Sequence, residues 1–267
     1  MEINNCCFSQ HGYKKACWLI ESRCNFNCEF CFHSQFETHS QLFPPKERDY
    51  SEIIDCLHEN KIEHIILSGG EPLLSPNLFH IIRLLEENNF TIGISTNATL
   101  ATPDFCSRLK KTTVRKLTVN LASICNKDGK IIEGASKNYT TTGIQNLISS
   151  GFVVTLNNIL HMSTSKDILI QNINYCEQLG VQNISFTVPV CKTSCEGNKS
   201  TYYMDIPTIC KIKKILEEVE YELSPTINII FNYPDCDSKL CPANKEVFGI
   251  GLNGIVSTCL VKQYQET

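Results

Sequence analysis

The chain has 267 residues, enough for one sizeable core, and 24 Lys and Arg against 28 Asp and Glu give a formal charge of −4. That near balance, with a pI near 6.0, excludes a broad nucleic-acid-binding face. No apolar run approaches the roughly 18 residues needed to span a bilayer, and residues 1–15 are too polar for a secretory signal, so the expected location is the cytoplasm, with no membrane partner.

Short apolar runs rich in β-branched residues predict strands over 16–21, 64–68, 91–95, 116–121, 152–160 and 183–188. Amphipathic stretches between and after them predict helices over 50–60, 76–89, 102–110, 140–150, 165–179 and 206–221. Ser75-Pro76 reads as an N-cap followed by Pro in the first turn, and Gly151 and Gly180 each read as a left-handed residue ending a helix. Strict alternation of strand and helix is the mark of parallel βα units, which right-handed crossovers assemble into an open partial barrel or a doubly wound sheet. From residue 224 the pattern changes to short strands over 227–231, 247–250 and 255–258 joined by Asn, Asp, Pro and Gly. The expected organisation is therefore a βα core over 1–223 and a small β appendage over 224–267.

Sixteen cysteines are too many for an ordinary intracellular chain and too dilute for a disulfide scaffold, so clustered thiols point to metal or redox chemistry. Cys24, Cys28 and Cys31 follow the first strand in one loop, spaced C-x3-C-x2-C. Three thiolates hold three corners of a four-iron cluster and leave one iron open to an exogenous chelator, whereas structural zinc closes all four positions. A shuffled chain of this composition shows the spacing with a frequency of about 0.06, so alone it leaves a zinc knuckle open. Gly69, Gly70, Glu71 and Pro72 follow the second strand, at the carboxyl end where ligands of parallel sheets sit. Glycines there permit close backbone approach, and the two motifs coincide by chance in about one shuffled chain in ten thousand.

Together these residues resemble the radical S-adenosylmethionine (SAM) enzymes. Cys24, Cys28, Phe30 and Cys31 match that family's C-x3-C-x-aromatic-C motif, and Gly69, Gly70, Glu71 and Pro72 match its methionine-binding motif. The resemblance spans residues 17–190 and implies an α/β fold, a partial (β/α)6 TIM-like barrel with a C-terminal β-hairpin appendage. It implies that Cys24, Cys28 and Cys31 hold a [4Fe-4S] cluster whose open iron chelates SAM. It further implies that the Gly69 to Pro72 loop orients the SAM amino group, that Phe30 lies against adenine, and that Ser95, Asn97 and Asn120 reach the ribose or the methionine carboxylate. The reaction it implies is reductive cleavage of SAM and hydrogen abstraction from a substrate by the 5′-deoxyadenosyl radical. Where the family's third-strand motif reads Thr-Asn-Gly, this chain has Thr96-Asn97-Ala98.

Cys236, Cys241 and Cys259, with Gly254 between the last two, resemble the opening of the family's SPASM and twitch extensions, which implies an auxiliary iron–sulfur cluster on those three cysteines. The further cysteine run of a full SPASM tail does not follow Cys259 before the sequence ends at Thr267. The bland reading of the trio is zinc or burial. Cys191 and Cys195 are candidates for a fourth ligand or for the cavity wall, and the remaining eight cysteines read as structural. His33 and His39 read as loop histidines, His161 as a substrate contact at the barrel mouth or a local one, Glu71 as an organiser of its loop and Trp18 as core.

The expected substrate, by the same resemblance, is a ribosomally made peptide undergoing cross-linking, thioether formation or epimerisation, with a flavodoxin- or ferredoxin-type electron donor. Only 23 residues precede Cys24 in the sequence, so recognition of a peptide leader is expected from a separate protein or from the barrel mouth. The alternatives are oxidation or cyclisation of a small molecule such as a nucleotide or aminocyclitol, and a non-catalytic iron–sulfur or zinc protein.

Overall fold

The computed structural model describes residues 15–26, 28, 31, 50–121, 135–188, 204, 206–223, 225–232, 248–252, 254 and 256–257. Strands β1 (Lys15–Glu21), β2 (His64–Gly69), β3 (Thr91–Thr96), β4 (Lys116–Asn120), β5 (Val153–Ile159), β6 (Asn183–Thr187) and β7 (Asn228–Asn232) pair in that order, all parallel. The helices α1 (Ser51–Glu59), α2 (Leu78–Glu87), α3 (Pro103–Leu109), α4 (Ala135–Ser149), α5 (Lys166–Leu179) and α6 (Ile206–Leu223) fall one between each successive pair of strands. On the other side of β1 lies β8 (Phe248–Ile250), also parallel, followed by antiparallel β9 (Val256–Ser257). The result is an open α/β sheet with eight parallel strands, in which every connection in the βα series runs to an immediate neighbour.

The period-2 pattern divides each strand between two environments. Ile92 and Ile94 on β3, Leu117 and Val119 on β4, Val154 and Leu156 on β5, and Ile184 and Phe186 on β6 are all buried in one core shared with the helices. Each fully buried side chain of this size contributes about 1.5–3 kcal/mol. The intervening residues, from Ser95 and Thr118 to Asn157 and Ser185, form the opposite, inner face. Trp18 lies in the core as expected, edge-on to Tyr50 with ring centroids 5.4 Å apart.

Helix ends follow local chemistry. Thr102 accepts from the Phe105 amide at 3.2 Å with Pro103 in the first turn of α3, and Ser165 caps α5 through the Ile168 amide. Gly151 and Gly180 have φ of 85° and 74°, the left-handed conformation expected of them. Ser75 does not cap α2: that helix starts at Leu78, and the Ser75 hydroxyl instead donates to the Ile20 carbonyl at 3.3 Å, tying the turn to the end of β1. Helix α4 begins at Ala135, five residues before the expected 140.

The strand expected over 227–231 belongs to the main sheet rather than to a separate appendage. It is β7, paired residue for residue with β6, because Ile229 and Phe231 alternate onto the helix-side core. Beyond it, β8 and β9 form the expected hairpin, which turns through Gly254 at φ 76° and joins the sheet at β1. No helix among the described residues is long and apolar enough to cross a membrane.

Candidate active site

β1 ends at Glu21 and the cysteine loop begins immediately; β2 ends at Gly69 beside it, and the two ends are laced together. The Gly70 amide donates to the Glu21 carbonyl at 2.7 Å and the Glu71 amide to the Arg23 carbonyl at 2.8 Å. A Cβ on Gly69, whose φ is 136°, would lie 2.2 Å from the Glu21 oxygen, and one on Gly70 would lie 2.3 Å from the Arg23 oxygen. Only glycine permits this approach. Glu21, 2 % exposed, is paired with Arg23 at 2.9 Å, and the guanidinium also donates to the Leu74 carbonyl. The pair turns the chain sharply into Cys24.

Glu71 is 1 % exposed and organises the next layer. Its carboxylate accepts from the Leu73 amide at 3.0 Å, the Thr96 hydroxyl at 2.6 Å and the Asn97 amide at 2.8 Å, joining the β2 and β3 ends. Burial pushes its carboxyl pKa up from 4.5, against the opposing pull of those three donors. These three donors make Glu71 the tie between the two strand ends, in keeping with a structural role. Ala98 takes φ 63° and is wholly buried, so the turn after Thr96 keeps a glycine-like conformation with an alanine in place. Its amide is held by the Thr96 hydroxyl at 3.0 Å.

Cys24, Cys28 and Cys31 open onto a cavity of about 190 Å³ whose other walls include Gly69, Gly70 and Glu71. Ser95, Asn97 and Asn120 line it too, so nine of the fourteen expected cofactor-site and metal-site residues gather around one space. Pro72 is buried behind the cavity, opening the short 3-10 turn Pro72–Leu74. Thr96, the first residue of the third-strand motif, lines it as well, and Phe26, Ser68 and Ile159 are lining residues that the motifs did not single out. For Phe26 a signal existed, an aromatic between two of the motif cysteines; Ser68 and Ile159 are marked only by strand register.

Desolvation raises the Cys24 thiol pKa, and it pushes Cys28 to about 12, with Cys31 and Cys24 adding like-charge repulsion. The Cys24 and Cys28 thiols therefore hold their protons when free and must release them to metal. The Phe26 amide already points at Cys24 Sγ at 3.5 Å, the kind of N–H to sulfur contact that tunes a cluster. Among the described residues no three His, Cys, Asp or Glu crowd one point as the ligands of a single ion do. Three soft donors in one loop, opening onto a ligand-sized cavity, suit a cluster with an accessible corner.

Beyond the cavity, one run of inner-face side chains is polar and uncharged. Asn120 donates to Ser95 Oγ at 3.0 Å, Asn157 donates to Asn120 Oδ1 at 2.9 Å, and Ser185 and Thr187 both donate to Asn157 Oδ1, at 2.6 and 2.7 Å. The ladder crosses β3 to β6. His161 sits apart in a turn, bonded to Ser163 and Thr164 and not lining the cavity. The expected sites at Phe30, Cys236, Cys241 and Cys259, and the candidates Cys191, Cys195, His33 and His39, lie outside the described residues.

Parallel βα units carrying three thiols and a glycine cradle at the carboxyl ends of adjacent strands define a cofactor-dependent enzyme site. The Radical SAM superfamily profile matches residues 19–176, more than half of the chain, and the chain belongs to that superfamily. That superfamily uses a [4Fe-4S] cluster and SAM. The chain is 28 % identical over 195 residues to a probable GTP 3′,8-cyclase of Methanococcus vannielii, covering 71 % of this chain and 62 % of the relative. It is 26 % identical over 139 residues to the mycofactocin maturase MftC of Mycobacterium tuberculosis, 51 % of this chain and 34 % of that protein. The chain thus spans less than two thirds of the length of either relative. Streptococcus suis SuiB, solved with its precursor peptide SuiA, superposes with a TM-score of 0.70 at 14 % identity, over 96 % of this chain and 61 % of that one.

Proposed function

We propose that the chain is a cytoplasmic radical SAM enzyme that modifies a ribosomally made peptide by cross-linking, thioether formation or epimerisation. Bound SAM, reduced by one electron from the cluster, supplies a 5′-deoxyadenosyl radical that takes a hydrogen atom from the substrate. The protein's part is to hold and to exclude. Cys24, Cys28 and Cys31 anchor the cluster, the Gly69 to Pro72 loop orients the methionine amine, Phe30 lies against adenine, and Ser95, Asn97 and Asn120 are at hand for ribose and carboxylate. Cys236, Cys241 and Cys259 hold an auxiliary iron–sulfur cluster, and a flavodoxin- or ferredoxin-type protein supplies the electron.

The observation that carries the peptide reading is the uncharged polar run across the inner face of β3 to β6. Ser95, Asn120, Asn157, Ser185 and Thr187 offer hydrogen bonds and no cation, as suits backbone amides. Likeness to the GTP 3′,8-cyclases favours a nucleotide as the second reading. A polyphosphate, however, wants Arg or Lys clamps. Among the described residues the lysines in register on this face, Lys15 and Lys116, lie at the ends of β1 and β4 away from Glu21 and Asn120.

The test is anaerobic reconstitution, dithionite reduction and incubation with SAM, alone or with a candidate precursor peptide or GTP. The expected result is 5′-deoxyadenosine from wild type and none from Cys24→Ala, with a mass change in the peptide. A fully loaded cluster that yields no 5′-deoxyadenosine would refute the enzyme reading, and turnover of GTP would replace the peptide. Iron counts on wild type and Cys259→Ala test the auxiliary cluster, which equal values would remove.

A further inference from the structure

We infer that Asn25, Asn97 and Thr99 form a positioning clamp that locks the cluster loop to the cofactor-binding end of β3. The inference rests on Cys24, Cys28 and Cys31 holding the cluster. Asn25 follows the first of these cysteines directly; Asn97 and Thr99 lie more than seventy residues away, in the loop after β3.

The three side chains close a cyclic hydrogen-bond ring. Asn25 Nδ2 donates to Thr99 Oγ1 at 2.8 Å, Thr99 Oγ1 donates to Asn97 Oδ1 at 2.7 Å, and Asn97 Nδ2 donates back to Asn25 Oδ1 at 2.8 Å. Each member gives one proton and takes one, so the directions are mutually reinforcing. The Thr99 amide adds a second donor to Asn97 Oδ1 at 3.0 Å. Asn97 is itself fixed from behind, because its backbone N–H is held by the buried Glu71 carboxylate. A continuous series of bonds thus runs from the methionine-orienting loop through Glu71 and Asn97 to the residue beside Cys24.

This assignment gives Asn97 a task beyond the cofactor contact proposed for it above. Its carboxamide oxygen already takes two donors and its nitrogen already serves Asn25. Asn25 lies on an exposed loop, where an unrestrained side chain would be solvated, and ordering it there has an entropic cost that the ring offsets. What the ring fixes is the Cys24 end of the loop relative to the cavity wall, and with it the distance between the cluster's open corner and the cofactor cradle.

The experiment compares wild type with Asn25→Ala, Asn97→Ala and the near-isosteric Thr99→Val, each reconstituted anaerobically. It reads the rate at which an excess iron chelator strips the cluster without SAM, the SAM dissociation constant, and the urea midpoint of the apoprotein. The expected result is loss of iron about tenfold faster in all three variants, the worth of a pair of hydrogen bonds. Asn25→Ala/Thr99→Val should be no faster than either single variant, because the ring is already open, and the apoprotein midpoint of Asn25→Ala should match wild type. Wild-type release rates in Asn25→Ala and Thr99→Val would overturn the clamp. So would a pattern in which Asn97→Ala alone weakens SAM binding and leaves iron release untouched, which is the signature of a ribose contact. Failure of the wild type itself to hold four irons on this loop would overturn the cluster assignment beneath it, a result visible before any variant is compared.

Discussion

The carbonyl oxygen of Arg23 occupies the place where a side chain on Gly70 would begin, 2.3 Å from its Cβ position. The same carbonyl accepts the Glu71 amide, so it cannot swing aside without losing that bond. Gly70→Ala is therefore expected to separate the cysteine loop from the β2 end, at a cost of roughly 3 kcal/mol. Iron bound per chain after reconstitution should fall with it, and a variant that keeps both wild-type stability and full iron would show that the two loops are independent.

Glu71 makes a prediction about pH. Its folded-state carboxyl pKa lies above 4.5, chiefly because it is buried, so between 4.5 and the raised value the folded chain binds the extra proton. Its contribution to stability is then greatest below 4.5 and declines as pH rises through that window. Glu71→Gln removes the titration but turns an amide N–H towards one of the donors from Thr96, Leu73 or Asn97, at about 1–3 kcal/mol. Urea denaturation of the apoproteins should show the variant less stable at all pH values, with the gap narrowing from pH 4.5 to 7. A constant gap would mean that the carboxyl does not titrate differently in the folded state.

Much of this site was legible because its chemistry is local. Cys24, Cys28 and Cys31 share one loop, Gly69 and Gly70 end one strand, and both lie where parallel βα units place their ligands. The strand and helix alternation was equally plain, since apolar period and punctuation by Gly151 and Gly180 act over a few residues. What stayed hidden depends on pairing at long range. Ser75 reads as a cap until the Ile20 carbonyl is brought beside it. The 227–231 run resembles an isolated short strand until β6 supplies its partner. Asn25 is an unremarked loop residue until Asn97 and Thr99 close on it.

Ala98 and Gly143 test how far the backbone at the β3 turn is forced. A Cβ on Gly143 would fall 1.9 Å from the Ala98 carbonyl oxygen, so α4 sits directly on that turn. Gly143→Ala should cost more than about 2 kcal/mol, and Ala98→Gly should not rescue it, because the collision is with backbone. Ala98→Gly alone relieves a left-handed alanine at φ 63° and should stabilise the chain by about 0.5–1 kcal/mol. Denaturant midpoints of the two single variants and the double check all three statements; rescue in the double would place the conflict at the Ala98 methyl instead.

Asn157 is the hub of the inner-face ladder, taking two hydroxyl donors on Oδ1 and giving one N–H to Asn120. Asn157→Asp keeps the acceptor for Ser185 and Thr187 but sets a second oxygen against Asn120 Oδ1. Asn120 must then turn its amide over, and the donor it gives to Ser95 is lost. A change on β5 is thereby carried two strands away, to residues that line the cofactor cavity. Asn157→Ala removes the hub without adding charge, so it leaves Asn120 free to keep Ser95. SAM binding should weaken about tenfold in the Asp variant and stay within about threefold of wild type in the Ala variant. Both should release more 5′-deoxyadenosine per modified substrate, since each loosens the wall that holds the substrate hydrogen near the radical. Equal SAM affinity in the two variants would show that β5 does not reach the cofactor through Asn120 and Ser95.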